Sequence, residues 1–235
     1  MKKIVVYANG SAGNHGCEAL TRSIYGLLST GVDDINFASS NIKEDISYGL
    51  GDIVHFMPLH SEIKKNQFKY FKYLVSQKLF PSDYRYYKFL YTDFLRSVDR
   101  DSLYISAGGD NYSYNNNIWL NCLNTEINQN GGKTILLGCS ILENISDLSM
   151  IKDLSNYSAI IARESISYNA LKQAGVDSDI YCLPDPAFIL QTKECKLPEG
   201  FIPGNTVGIN ISPMIIEREQ SEGAVMNNYF FLIDY

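Results

Sequence analysis

At 235 residues the chain exceeds the common single-domain size and falls short of two full domains, so one complete domain plus part of another is expected. Hydrophobic residues at 45% and charged residues at 20% are ordinary globular usage, which excludes wholesale disorder. A formal net charge of −6 supplies no field that would gather polyanions and argues against nucleic acid as the main partner.

The N-terminus MKKIVVYANG carries two lysines, but its apolar run is too short for a signal-peptide core or a membrane span, and a cytoplasmic protein is the default expectation. Short runs rich in β-branched and aromatic residues predict strands at residues 3–8, 35–39, 52–59, 102–109, 133–141, 158–163 and 179–184. Several are continuously apolar, as in a parallel sheet covered on both faces. Between them, Ala19, Leu20, Ile24, Leu27 and Leu28 line one face of a helix over 17–29. ESISYNALKQAG repeats that period and stops at Gly175. The alternation predicts an α/β fold, a Rossmann-like doubly wound parallel sheet.

Residues 61–98 interrupt it. They are helical in period, broken at Pro81, and rich in Tyr, Phe, Lys and Arg, which predicts two helices with Ser82 or Asp83 capping the second. We read this insertion as aromatic faces covering the sheet; a carbohydrate-stacking or membrane-surface patch is the alternative. After Pro186 the Pro- and Gly-containing stretch LQTKECKLPEGFIPGN reads as a domain crossing. TVGINISP then offers a strand and EGAVMNNYFFLIDY a helix, so the expected division is residues 1–200 and 201–235, the latter the first βα unit of a truncated second domain.

Candidate chemistry clusters at strand ends. Gly10, Gly13 and Gly16 fall at G-x-x-G-x-x-G, which matches neither the dinucleotide fingerprint nor the phosphate loop. What remains is a turn without Cβ atoms at a helix N-terminus, with Asn14 placed to cap and His15 and Glu18 alongside; a ligand loop and a structural turn are both open. Gly108, Gly109, Asp110 and Asn111 form a second such loop, in which Asp110 could act as acid, base or hydroxyl acceptor. An Asx-type turn is its bland alternative. Arg163 ends an apolar strand beside Glu164, and its fork suits a carboxylate or phosphate, unless Glu164 or Asp185 simply pairs with it. Cys17, Cys122, Cys139, Cys182 and Cys195 lie far apart without C-x-x-C, so no zinc site or disulfide framework is suggested. His55 and His60 lack a metal-ligand spacing, and no Ser sits in G-x-S-x-G.

Taken in order, GSAGNHGCEAL, SAGGDNYSY, ARESISYNALKQAGV, PDPAF and GINISP resemble the polysaccharide pyruvyl transferase family over nearly the whole chain. The resemblance implies a two-domain fold similar to GT-B glycosyltransferases, with this chain as the N-terminal half. It implies transfer of pyruvyl carbons from phosphoenolpyruvate to a sugar or lipid-linked oligosaccharide as a cyclic ketal, with no metal or cofactor. It further implies catalytic roles for Asp110, Glu18 and His15, and substrate-binding roles for Gly13, Asn14, Gly16, Gly108, Gly109, Asn111, Arg163 and Glu164. The family's later Arg- and His-bearing segment is expected beyond Tyr235, which would leave the chain inactive alone. The competing readings are a nucleotide-sugar glycosyltransferase and a non-catalytic binding fragment. Contact with the inner face of the plasma membrane stays open.

Overall fold

The computed structural model describes residues 3–62, 68–113, 117–141 and 145–209. Its chain divides into two compact units, Met1–Gln191 and Thr192–Tyr235. In the second, residues 206–209 carry no strand, and the remainder of the expected strand and the helix after it lie outside the described residues.

The first unit is built on seven parallel strands: β1 (Lys3–Tyr7), β2 (Ile35–Ser39), β3 (His55–Pro58), β4 (Ser102–Ala107), β5 (Lys133–Cys139), β6 (Ala159–Ala162) and β7 (Asp179–Cys182). Their order is β3-β2-β1-β4-β5-β6-β7, so the sheet reverses direction of growth between β1 and β4. All seven predicted strands are present; β2 has the predicted bounds and the other six are trimmed by their flanking turn residues. Alternation puts Ile4 and Val6 in one core and Val5 and Tyr7 in another, on opposite faces of β1. This double burial is why the strands read as continuous apolar runs.

Helix α1 (His15–Leu28) follows β1 and buries Leu20 and Ile24 in the first core. Asn14 caps it, accepting from Gly16 N–H at 2.9 Å. Helix α2 (Ile42–Ser47) follows β2 with Asn41 as its cap. The insertion forms three helices, not two: α3 (Phe68–Leu79), α4 (Asp83–Leu90, capped by Ser82) and α5 (Thr92–Arg96). Only part of it covers the sheet. Phe94 and Leu95 of α5 enter the second core, and Tyr87 and Leu90 of α4 pack against it. Helix α6 (Ile118–Gln129) follows β4 and sinks Leu120, Leu123 and Ile127 into that same core, with α7 (Leu148–Leu154) and α8 (Ser165–Gln173) beside it. Lys88 Nζ at 2.6 Å and Tyr84 Oη at 2.9 Å both donate to Glu126, fixing α4 on α6. Among the described residues no helix is long and apolar enough to cross a membrane.

The chain therefore leaves β1 toward one face and β4 toward the other. The carboxyl ends of these two neighbours form the topological switch point, where open α/β sheets carry their ligand crevice.

Candidate functional site

The loops leaving β1 and β4 are joined at that crevice. Ala8 takes a left-handed conformation with φ 62°, an uncommon and strained state for a residue with a Cβ. Its carbonyl accepts Asn111 Nδ2 at 2.9 Å, and the same amide reaches the Ala107 carbonyl at 3.2 Å. Asn9 follows, its Nδ2 donating to the Cys17 carbonyl and to Thr21 Oγ1. Its Oδ1 is buried and finds no partner among the described residues. Gly108 has φ 137°, and a Cβ there would stand 2.9 Å from the Ala8 carbonyl oxygen and 2.1 Å from Asn111 Nδ2. Gly108→Ala should therefore destabilise the fold by about 2 kcal/mol, read as a lower urea midpoint at unchanged m.

Arg163 reaches the same loop from β6. A Cβ on Gly109 would lie 2.1 Å from Arg163 Nη1, so the guanidinium occupies space that only glycine leaves open. Nε donates to Ser140 Oγ at 2.8 Å and Nη1 to Asp185 Oδ2 at 2.9 Å. Among the described residues no hydrogen bond occupies Nη2. Asp185 also caps the 3-10 helix Pro186–Ile189 through the Ala187 N–H, and that helix packs on α1. The segment after β7 thus crosses back over the carboxyl edge and pairs with Arg163 on its way. Ser140 completes the frame: its N–H donates to the Gly109 carbonyl and its carbonyl accepts Ser113 Oγ. Ser140 was not singled out from the sequence, because nothing in its neighbourhood marks a serine that bridges two strand ends.

Glu164 does not pair with Arg163 but caps α8, accepting from the N–H groups of Ile166 and Ser167 and from Ser167 Oγ. Burial acts against its charge, yet the bonds from Ser167 and Ile166, with the nearby Arg163 charge adding to them, prevail and hold the carboxyl below its usual range.

The first glycine turn is not an open row of donors. Ala12 N–H donates to Asp45 Oδ1 at 2.8 Å, and Gly16 N–H is taken by Asn14. Ser11 Oγ donates to Glu44, whose Oε1 would lie 2.7 Å from a Cβ on Gly13. Two carboxylates from α2 thus occupy the outer side of the turn, so an anion is disfavoured there. His15 Nδ1 lies 3.1 Å from Glu18 Oε2, and Arg22 Nε donates to Glu18 Oε1 at 2.9 Å. The His15 and Arg22 bonds keep the Glu18 carboxyl below its ordinary value, so it stands as a carboxylate rather than a proton donor. His15 is 79% exposed. Asp110, exposed at the tip of the second loop, acts on Cys17 through space. Burial raises the Cys17 thiol, the Gly10 N–H opposes this, and the charges of Asp110 and Asp45 add to it; the sulfur stays protonated.

The predicted residues therefore fall into two neighbourhoods. Gly108, Gly109, Asn111 and Arg163 converge at the switch point with Ala8, Asn9, Ser140 and Asp185. Gly13, Asn14, Gly16, His15 and Glu18 line the first turn of α1 beside the carboxylates of α2. A separate polar cleft of about 630 Å³, lined by Tyr84, Asn121, Asn128 and Lys152 among others, lies along α6 and α7.

The fold defines a Rossmann-like α/β protein, and the carboxyl edge of its sheet presents the Arg163 guanidinium framed by glycine, serine and carboxylate. The family model described as polysaccharide pyruvyl transferase matches residues 45–231, and the chain belongs to that family. The match takes in the Gly108 loop, Arg163 and Asp185 and begins after the first glycine turn. No curated protein and no solved structure matches the chain.

Proposed function

We propose that this protein transfers the pyruvyl carbons of phosphoenolpyruvate to a sugar of a polysaccharide or its lipid-linked precursor, forming a cyclic ketal. The observation that carries this reading is the Arg163 guanidinium, held by Ser140 and Asp185 against Cβ-less Gly109 at the carboxyl edge of the sheet. Such a fork, with Nη2 still to be engaged, suits the carboxylate or phosphate of the donor. The membership of the family supports pyruvyl transfer as its use.

The reaction adds a proton to the methylene carbon of the enol phosphate and leaves an oxocarbenium-like centre at the neighbouring carbon. One sugar hydroxyl bonds to that carbon, the C–O bond to phosphate breaks, and a second hydroxyl closes the ketal. One hydroxyl proton balances the new methyl group and the other leaves with phosphate. Arg163 offsets the donor's negative charge throughout. Asp110, exposed beside the Arg163 loop, accepts from an acceptor hydroxyl, and the Glu18 carboxylate with His15 forms the complementary proton-handling pair on α1. Asn111, Asn14 and Glu164 act as positioning residues, because their side chains are already spent on backbone groups. The five cysteines are all free, which fits a reducing cytoplasmic setting.

Ligand-dependent melting tests the donor. Phosphoenolpyruvate at a hundredfold excess over its Kd should stabilise the fold by about 2.7 kcal/mol, raising Tm by roughly 5–10 °C. UDP- and GDP-sugars should leave it unmoved. A shift with a nucleotide sugar and none with phosphoenolpyruvate would overturn the reading.

A further inference from the structure

Helix α3 has two apolar faces, and among the described residues only one packs against other side chains. On the inner face Tyr73 stacks on Phe89 of α4 at 4.3 Å, Tyr70 lies 6.4 Å from the same ring, and Gln77 bonds to both backbone groups of Ser82. The outer face, half a turn away, carries Phe68, Phe71, Val75 and Leu79 in the i, i+3, i+7, i+11 stripe of one helix side. Phe68 is 80% exposed, Phe71 62%, Leu79 65%, and Phe80, just past the helix, 63%. Together with Ser76 these side chains line an apolar groove of about 390 Å³. Lone exposed apolar residues are ordinary; a contiguous stripe of Phe68, Phe71, Val75 and Leu79 along three turns marks an interaction surface.

Charge selects the occupant. Residues 61–98 hold eight Lys or Arg against three Asp or Glu, in a chain whose formal net charge is −6. Arg85 sits over the Phe80 ring at 5.4 Å, and Lys78 occupies the last turn of α3. A second copy of the chain would bring two such basic surfaces face to face, which is repulsive. An anionic bilayer offers what both features lack: hydrocarbon for the rings and negative headgroups for the cations. We propose that α3 lies in the headgroup layer of an anionic membrane, inserting Phe68, Phe71 and Leu79 and holding the protein at that surface. The proposal is independent of the donor assigned above. Its consequence is spatial: a polymer built on a lipid carrier would be met at the surface where the carrier is anchored.

Vesicle co-sedimentation of the whole chain tests it. The protein should pellet with phosphatidylcholine–phosphatidylglycerol vesicles, stay largely in solution with phosphatidylcholine alone, and be released as salt shortens the screening length. Phe68→Ser/Phe71→Ser should lower the partition coefficient roughly 100-fold at unchanged melting temperature. Leu79→Ser provides a second variant in case the double one misfolds, and should lose roughly tenfold. Wild-type protein that ignores the anionic vesicles, variants that bind as well as wild type, or equal binding to both lipids would each overturn the proposal. So would a concentration-dependent dimer, seen by sedimentation velocity and abolished by the same substitutions, in a protein that leaves vesicles alone.

Discussion

Arg163→Ala is expected to weaken phosphoenolpyruvate binding by 100- to 1,000-fold in isothermal titration calorimetry, while the protein stays folded. Loss of a charge-assisted fork from a partly buried anion site costs about 2–5 kcal/mol, and 1.4 kcal/mol is tenfold in affinity. Binding is the right readout because it needs no acceptor. Arg163 is also a structural link, with bonds to Ser140 and Asp185, so a control is required. Arg163→Lys retains the charge but not the planar fork, and should fall between wild type and alanine. Gly109→Ala approaches the same point from the other side: its Cβ would stand 2.1 Å from Nη1 and must displace the guanidinium without removing it. If both variants melt normally and bind weakly, the geometry at Nη2 matters and the charge alone does not suffice. An Arg163→Ala protein whose affinity stays within about threefold of wild type would remove the anion grip from the proposal.

The strands were legible because a doubly covered sheet writes itself as short apolar runs, and Asn14, Ser82 and Gly175 punctuated helices in the expected way. Besides α5, which follows directly on α4, three helices escaped for physical reasons. Helix α2, IKEDIS, has too few apolar residues for a period, and its Glu44 and Asp45 serve the glycine turn more than thirty residues earlier. Helix α6 interleaves polar residues with its core-facing leucines. Asn124 and Glu126 are buried there, so polar residues stand where the period demands apolar ones. Helix α7, of seven residues, is too short to repeat a period.

The site divides along the same line. Glycines at strand ends and the arginine at the end of β6 were visible locally. The bond from Asn111 to Ala8 spans 103 residues, and no local pattern encodes it. The pairing of Arg163 with Asp185 was one of two sequence alternatives, and the crossing segment after β7 decided it. The first glycine turn was open to two readings in the sequence, and what fills it is tertiary: from α2, Asp45 takes the Ala12 N–H and Glu44 accepts from Ser11 Oγ.

Asp153→Asn should flatten the dependence of stability on pH between about 4 and 6 and raise stability at pH 7 by up to about 3 kcal/mol. Asp153 is 2% exposed, on α7. Burial pushes its carboxyl up to about 6, and the bonds from Asn124 and Tyr112 only partly oppose this. A folded-state value above the unfolded one means that the native protein binds more protons in the interval between them. Stability therefore falls as pH rises through that window, then levels off once both states are ionised. The carboxylate is not idle. Oδ2 accepts Tyr112 Oη at 2.8 Å, Oδ1 accepts Asn124 Nδ2 at 2.9 Å, and Tyr112 Oη meets Tyr157 Oη at 3.0 Å. An asparagine keeps the acceptor for Asn124 and presents its amide to Tyr112, whose hydroxyl can accept while donating to Tyr157. Alanine removes the carboxylate acceptor in a dry interior, leaving Asn124 only the backbone carbonyl of residue 153 and Tyr112 only Tyr157, and should destabilise at every pH. Tyr112 closes the loop that carries Gly108, Gly109 and Asn111, and bridges in parallel to Ile141 beyond β5. The network thus pins the ligand edge from beneath, which explains why a buried acid is kept where an amide would be more stable. Urea titrations at pH 4, 5, 6 and 7 decide it: an asparagine variant that retains the wild-type slope would show that another group titrates there. If the slope vanishes while phosphoenolpyruvate affinity is unchanged, the tyrosine network supports the loop without taking part in binding.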